Sequence, residues 1–195
     1  MENVQTRLSN AAFRHFEGLP HNLHKRFELH NGELIEMPSP SPLHQWIVAR
    51  LVFLISKWLE PAALGYVFGD NLDYEPAEGV IVKPDVSFVS RQRAPSLPQT
   101  FQIMPDLAVE VVSPSNTERE MLQKVQLYFA HQAQVVWVIY PDQRMVRVYT
   151  PAAQGVHVRQ LVEGETLEGG ALLPDFALPI AEIFPKPEAE PPHEA

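Results

Sequence analysis

The sequence predicts the α/β class: a mixed β-sheet flanked by helices and opened by an N-terminal β-hairpin. Three observations lead there. Strand-like and helix-like segments alternate along the chain. The run Leu107-Ala108-Val109-Glu110-Val111-Val112 is apolar on both faces except for one carboxylate, as a strand buried inside a sheet is. Asn31-Gly32, set between Phe27-Glu28-Leu29-His30 and Glu33-Leu34-Ile35-Glu36-Met37, is the strongest short-range signal for a type I′ hairpin turn.

An amphipathic lead-in precedes that hairpin. Pro38-Ser39-Pro40-Ser41-Pro42 breaks the pattern, and Ser41 with Pro42 reads as N-cap and first turn of a helix over 42–60. Leu43, Ile47, Leu51, Leu54 and Trp58 form its expected inward stripe, and Pro61 and Gly65 close it. Strands are expected over 66–69 and, as one β-branched run, over 80–89. A Pro-containing connection over 91–105 leads to the strand of Glu110. Ser115 and Glu118 have capping-box spacing for a helix over 116–131. Val135-Val136-Trp137-Val138-Ile139-Tyr140 reads as a third buried strand, turned by Pro141-Asp142-Gln143-Arg144 into an alternating partner over 145–149. Edge strands are expected over 157–162 and 171–173. One domain over 1–184 is expected, followed by a disordered Pro/Glu-rich tail over 185–195.

Composition narrows the function. Of the 195 residues 45% are apolar, enough for a packed core. The absence of cysteine excludes disulfides, thiolate zinc sites and a cysteine nucleophile. No signal-peptide pattern opens the chain, and its most apolar stretch, over 46–59, is broken by Arg50 and Lys57, so no membrane association and a cytoplasmic protein are expected. A formal net charge of −9 argues against tight, sequence-independent nucleic-acid binding, which rests on neutralising phosphates. Lys83, Arg91 and Arg93 leave room for a local basic patch, or for an ordinary solvated loop.

Two carboxylates stand where burial makes charge expensive: Glu110, and Asp85 within Val80-Ile81-Val82-Lys83-Pro84-Asp85-Val86-Ser87-Phe88-Val89. Each could simply accept an ion pair or hydrogen bonds. A hard divalent cation is the other natural partner, since magnesium is held by one or two carboxylates while keeping several waters. On the helix over 116–131, Met121, Val125, Tyr128 and Phe129 share a side, and Lys124, three after Met121 and four before Tyr128, falls on or beside it. An ion pair with Glu120 would explain Lys124 alone. With Asp85 and Glu110 it would complete a metal-dependent hydrolytic site, orienting water or stabilising charge on phosphate.

Those residues carry a family likeness. Lys83-Pro84-Asp85, the run from Pro105 through Glu110 to Ser115, Lys124 with Tyr128, and Trp137-Val138-Ile139-Tyr140-Pro141 together resemble the Uma-type family of restriction endonucleases in the PD-(D/E)XK nuclease superfamily. The opening hairpin and Pro42-Leu43-His44-Gln45 extend the resemblance over most of the chain. It implies a restriction-endonuclease-like fold and a metal-dependent endonuclease that hydrolyses DNA phosphodiester bonds. In it Asp85 is the first acid, Glu110 the second, the Val111 backbone carbonyl a further ligand, and Mg²⁺ or Mn²⁺ the cofactor. The superfamily's simplest pattern puts Lys two residues after the second acid, where this chain has Val112; Lys124 matches the family's relocated lysine. Glu120 stands where relatives often carry Asp. His44 matches a family histidine and is a candidate for proton transfer or phosphate contact. Glu33 and Glu36 match as well, and since the faces of a hairpin alternate, the pattern leaves open which of them faces the site.

Asp106 repeats the Pro-Asp element and competes with Asp85, which is preferred because its strand can lie beside that of Glu110. His21-x-x-His24 has a metal spacing but no companion ligands. A homodimer would let a nuclease address both strands of a duplex. The alternative is a non-catalytic interaction or regulatory module that keeps the fold, which the acidic charge favours.

Overall fold

The computed structural model describes residues 7–60 and 63–186; the expected role of Pro61 and most of the expected tail lie outside them. Three helices and twelve strands are described: α1 (Asn10–Glu17), β1 (Arg26–His30), β2 (Glu33–Met37), α2 (Pro42–Leu59), β3 (Gly65–Phe68), β4 (Tyr74–Ala77), β5 (Val80–Val82), β6 (Val86–Ser90), β7 (Leu107–Val111), α3 (Glu118–Ala130), β8 (Val135–Tyr140), β9 (Met145–Pro151), β10 (Val156–Val162), β11 (Thr166–Glu168) and β12 (Ala177–Pro179). None of the described helices is long and apolar enough to cross a membrane.

The main sheet has the order β10-β9-β8-β7-β6-β3. Only β7 and β8 run parallel, joined by α3, while β6 lies antiparallel to β7 with Val86 opposite Val109. A parallel pair needs such a crossover, and the helix covers the sheet face that the strands leave apolar. The β-pleat then sorts β7: Leu107, Val109 and Val111 enter the core beneath α2, and Ala108 enters the core beneath α3. Glu110, two residues beyond Ala108, therefore turns toward α3.

The predicted hairpin is present, with Asn31 and Gly32 at φ 52° and 85°, as a type I′ turn requires at both central positions. It belongs to a second sheet, β2-β1-β5-β4, in which Leu29 pairs with Ile81. Phe27, Leu29, Ile81 and the α1 residue Phe13 make a small core on one side. Alternation sends Glu28 to the other side.

Four expectations are corrected. The run over 80–89 is two strands in two sheets, because Pro84 has no N–H for a ladder and the chain crosses between sheets at Lys83-Pro84-Asp85. The capping box of α3 is Thr117 with Glu120, two residues beyond the Ser115–Glu118 pair of equal spacing. The inward row of α2 is Ile47, Leu51, Ile55 and Leu59, joined by Val48 and His44; Leu43 is exposed, and Leu54 and Trp58 are only partly buried. Residues 171–173 form no strand; the last pair is β11 with β12, whose Leu167 and Leu178, with Leu173 and Phe176, close the main core against Trp137. β4, with Pro76 inside it, has no counterpart among the predicted strands.

Candidate active site

Glu110 is 4% exposed and lies between two donors from one face of α3. Lys124 Nζ donates to its Oε2 at 2.9 Å, and the Tyr128 hydroxyl, one helical turn on, donates to Oε1. Asp85 enters from the other neighbour: its Oδ2 accepts the backbone N–H of Val111 at 2.7 Å and lies 3.1 Å from His44 Nε2. His44 is held at the start of α2, where its own N–H caps onto Ser41 Oγ at 3.1 Å. Its Nδ1 is buried and has no hydrogen-bond partner among the described residues. The sequence-predicted residues Asp85, Glu110, Lys124 and His44 thus come together around the end of β7, and Val111 joins them through its N–H.

The group has a member that sequence reasoning missed. Glu28 of β1 is fully buried; Lys124 Nζ lies 3.1 Å from its Oε1, which also accepts the Lys83 N–H at 2.6 Å. His30 Nε2 lies 2.8 Å from its Oε2. The missed signal is the one that marked Glu110, a carboxylate flanked by apolar residues in a strand, here Phe27 and Leu29.

Glu28 and Glu110 thus share the buried Lys124 ammonium, and a third buried acid, Asp85, lies near enough to add to its field. Burial pushes the Glu110 carboxyl up to about 8, with Asp85 and Glu28 adding to the rise against the pull of Lys124 and Tyr128. Burial also disfavours the charged form of Glu28, but Lys124, His30 and the Lys83 N–H outweigh it and hold that carboxyl down at about 2. Glu28 has the stronger donor set, so a proton taken up by the cluster resides on Glu110. Lys124, despite its burial, is held above its ordinary value by Glu110, Glu28 and Asp85. Burial and Glu110 together raise the Tyr128 phenol, which stays a donor.

Other candidates lie elsewhere. Glu33 and Glu36 are exposed, and Glu36 pairs with Lys25 at 2.9 Å. Glu120 closes the cap of its own helix and leaves Lys124 to the two buried acids. His21 and His24 are exposed. Asp106 sits at the opposite end of β7, fully buried, accepting the Ser90 N–H at 2.8 Å and contacts from Arg93 and Gln134; it ties loops together. The expected basic patch is spent internally: Lys83 pairs with Glu17 and Asp73, Arg93 with Asp106, and Arg91 lies over the Tyr66 ring.

Among the described residues no three His, Cys, Asp or Glu side chains converge to cage a metal ion. What Asp85 and Glu110 offer is a pair of buried hard oxygen donors near a third acid, Glu28. That donor set fits a divalent ion that keeps most of its waters, and would not fit a dehydrated or soft metal.

With this arrangement in view, the decisive comparison is a family model: Uma2, described as "Putative restriction endonuclease", matches residues 13–181. The chain belongs to the Uma2 family. Its fold is also found in the crystal structure of "a putative nuclease belonging to DUF820" from Anabaena variabilis ATCC 29413, which is 24% identical. That match has a TM-score of 0.72 over 81% of this chain and 89% of the other. No curated protein matches the chain. In this Uma2 member Asp85 and Glu110 are both buried near the end of β7.

Proposed function

We propose that this Uma2-family chain is a Mg²⁺- or Mn²⁺-dependent endonuclease that hydrolyses DNA phosphodiester bonds. Asp85, Glu110 and the Val111 backbone carbonyl would hold the ion. The observation that carries this proposal is the charge imbalance: Glu28 and Glu110 share the Lys124 ammonium and a third buried carboxylate, Asp85, adds its charge nearby, an excess that a divalent cation offsets. When bound, such an ion supplies Lewis acidity to a phosphate oxygen and lowers the pKa of water.

The chain's own groups have definable tasks. Lys124, fixed beside Glu110, holds a positive charge where negative charge develops on phosphate and hydrogen-bonds the attacking water. Tyr128 keeps Glu110 oriented. Asp85 is aimed by the Val111 N–H and by His44. His44 is the candidate for proton transfer or phosphate contact, through an Nδ1 that is buried and without a partner among the described residues. In the overall reaction one oxygen–phosphorus bond forms from water and the bond to the leaving sugar oxygen breaks. The attacking water gives up one proton and the leaving sugar oxygen takes one up, directly or through solvent. A homodimer would place two such sites on the two strands of a duplex.

The experiment is cleavage of duplex and single-stranded DNA at low salt by wild type and Glu110→Gln, with Mg²⁺, Mn²⁺ or EDTA. Metal-dependent cleavage that is lost in the variant is expected. Inactivity of both proteins without metal binding would favour the non-catalytic module. The net charge of −9 and the internal pairing of Lys83 and Arg93 support that second reading.

A further inference from the structure

Lys124 is fixed at two points, and only one of them belongs to the proposed metal site. Its ammonium reaches Glu110 on the main sheet at 2.9 Å and Glu28 on the second sheet at 3.1 Å. A lysine has four rotatable side-chain bonds and about 2 kcal/mol of rotamer entropy, so one carboxylate leaves it free to swing. A second carboxylate on a separate element removes that freedom, provided the second is itself rigid.

Glu28 meets that condition. It is fully buried, its Oε1 is fastened to a backbone N–H at Lys83, and its Oε2 meets the His30 imidazole. The fastening point is telling: the crossover Lys83-Pro84-Asp85 offers its N–H to Glu28 at one end and the Asp85 carboxylate to Val111 at the other. One short loop therefore sets both the second anchor of Lys124 and the first acid. His30, the outer member, lines a cleft of about 1200 Å³ between the β1–β2 hairpin and α3, walled also by Asn31, Gln123, Gln126 and Leu127.

We propose that Glu28, backed by His30, is a positioning residue that aims the Lys124 ammonium at Glu110. Its catalytic consequence rests on the nuclease chemistry proposed above; the geometric claim does not. Glu28 acts through Lys124, so its loss lowers kcat while substrate binding persists.

The test uses full-length protein labelled with ¹⁵N-lysine. The Lys124 ammonium, assigned by its loss in Lys124→Met, is expected as a sharp, slowly exchanging resonance in wild type. In Glu28→Gln it should broaden or vanish. There kcat should fall by about tenfold or more, with KM changed by less than about threefold. His30→Ala, a change at a partly exposed side chain, should broaden the signal in the same direction and serves if Glu28→Gln fails to fold. An unchanged Lys124 resonance in a folded Glu28→Gln or in His30→Ala overturns the proposal, as does unchanged kcat alongside wild-type cleavage. If wild type does not cleave DNA, the nuclease assignment fails and the resonance alone decides the role of Glu28.

Discussion

Asp85 accepts the backbone N–H of Val111 at 2.7 Å, and Val111 is the residue after Glu110, so the two candidate metal-binding acids are keyed to each other through the backbone of β7. Asp85→Asn keeps an oxygen acceptor for that N–H. It should change folding stability by less than about 1 kcal/mol. Divalent-metal affinity, measured by Mn²⁺ titration, should fall at least about tenfold because a charged ligand is lost.

Removal of the ammonium has the opposite profile. Lys124→Met leaves Glu28 and Glu110 buried without their shared cation, which should cost about 3–5 kcal/mol in urea unfolding of the metal-free protein. Added Mn²⁺ should recover part of that loss by binding the native state alone.

Stability of the metal-free protein should depend on pH with a definite sign. Glu110 titrates near 8 when folded against an ordinary 4.5, so between those values the folded chain holds a proton that the unfolded chain has lost. Stability therefore falls as pH rises through that window, by up to about 1.4 kcal/mol per pH unit. Glu28, held at about 2, gains stability only as pH rises toward 4.5 and adds no slope above it. Melting at pH 5.5 and 7.5 should show the decline in wild type and a flatter profile in Glu110→Gln.

The cap of α3 supports the site from a distance, because this helix carries Lys124 and Tyr128. Thr117→Ala should cost about 1 kcal/mol, and Ser115→Ala only a few tenths, measured by urea unfolding.

The contrast between Thr117 and Ser115 also shows how far the sequence could be read. Both have an acid three residues on, and local spacing does not choose between them; the path of the chain from β7 does. Glu110 and Asp85 were legible because a carboxylate inside an apolar strand needs a partner, and Lys124 because helical spacing put it beside Met121 and Tyr128. Glu28 carried the same mark, but a hairpin is expected to have one wet face, and nothing local says that α3 covers it. The split at Pro84 was hidden for a related reason. Residues 80–89 are β-prone throughout, and their division between two sheets is decided by strands from distant parts of the chain.

Calorimetric titration of the metal-free protein with Mn²⁺ at pH 7, repeated in two buffers of different ionisation enthalpy, tests most directly whether the buried acids form a metal site. Ligands must be deprotonated to bind metal, so a Glu110 that titrates near 8 must give up its proton on binding. Saturable binding with release of about one proton, abolished in Glu110→Gln, is the expected result. No binding, or binding with no proton release that persists in Glu110→Gln, would contradict a metal-dependent site at Asp85 and Glu110.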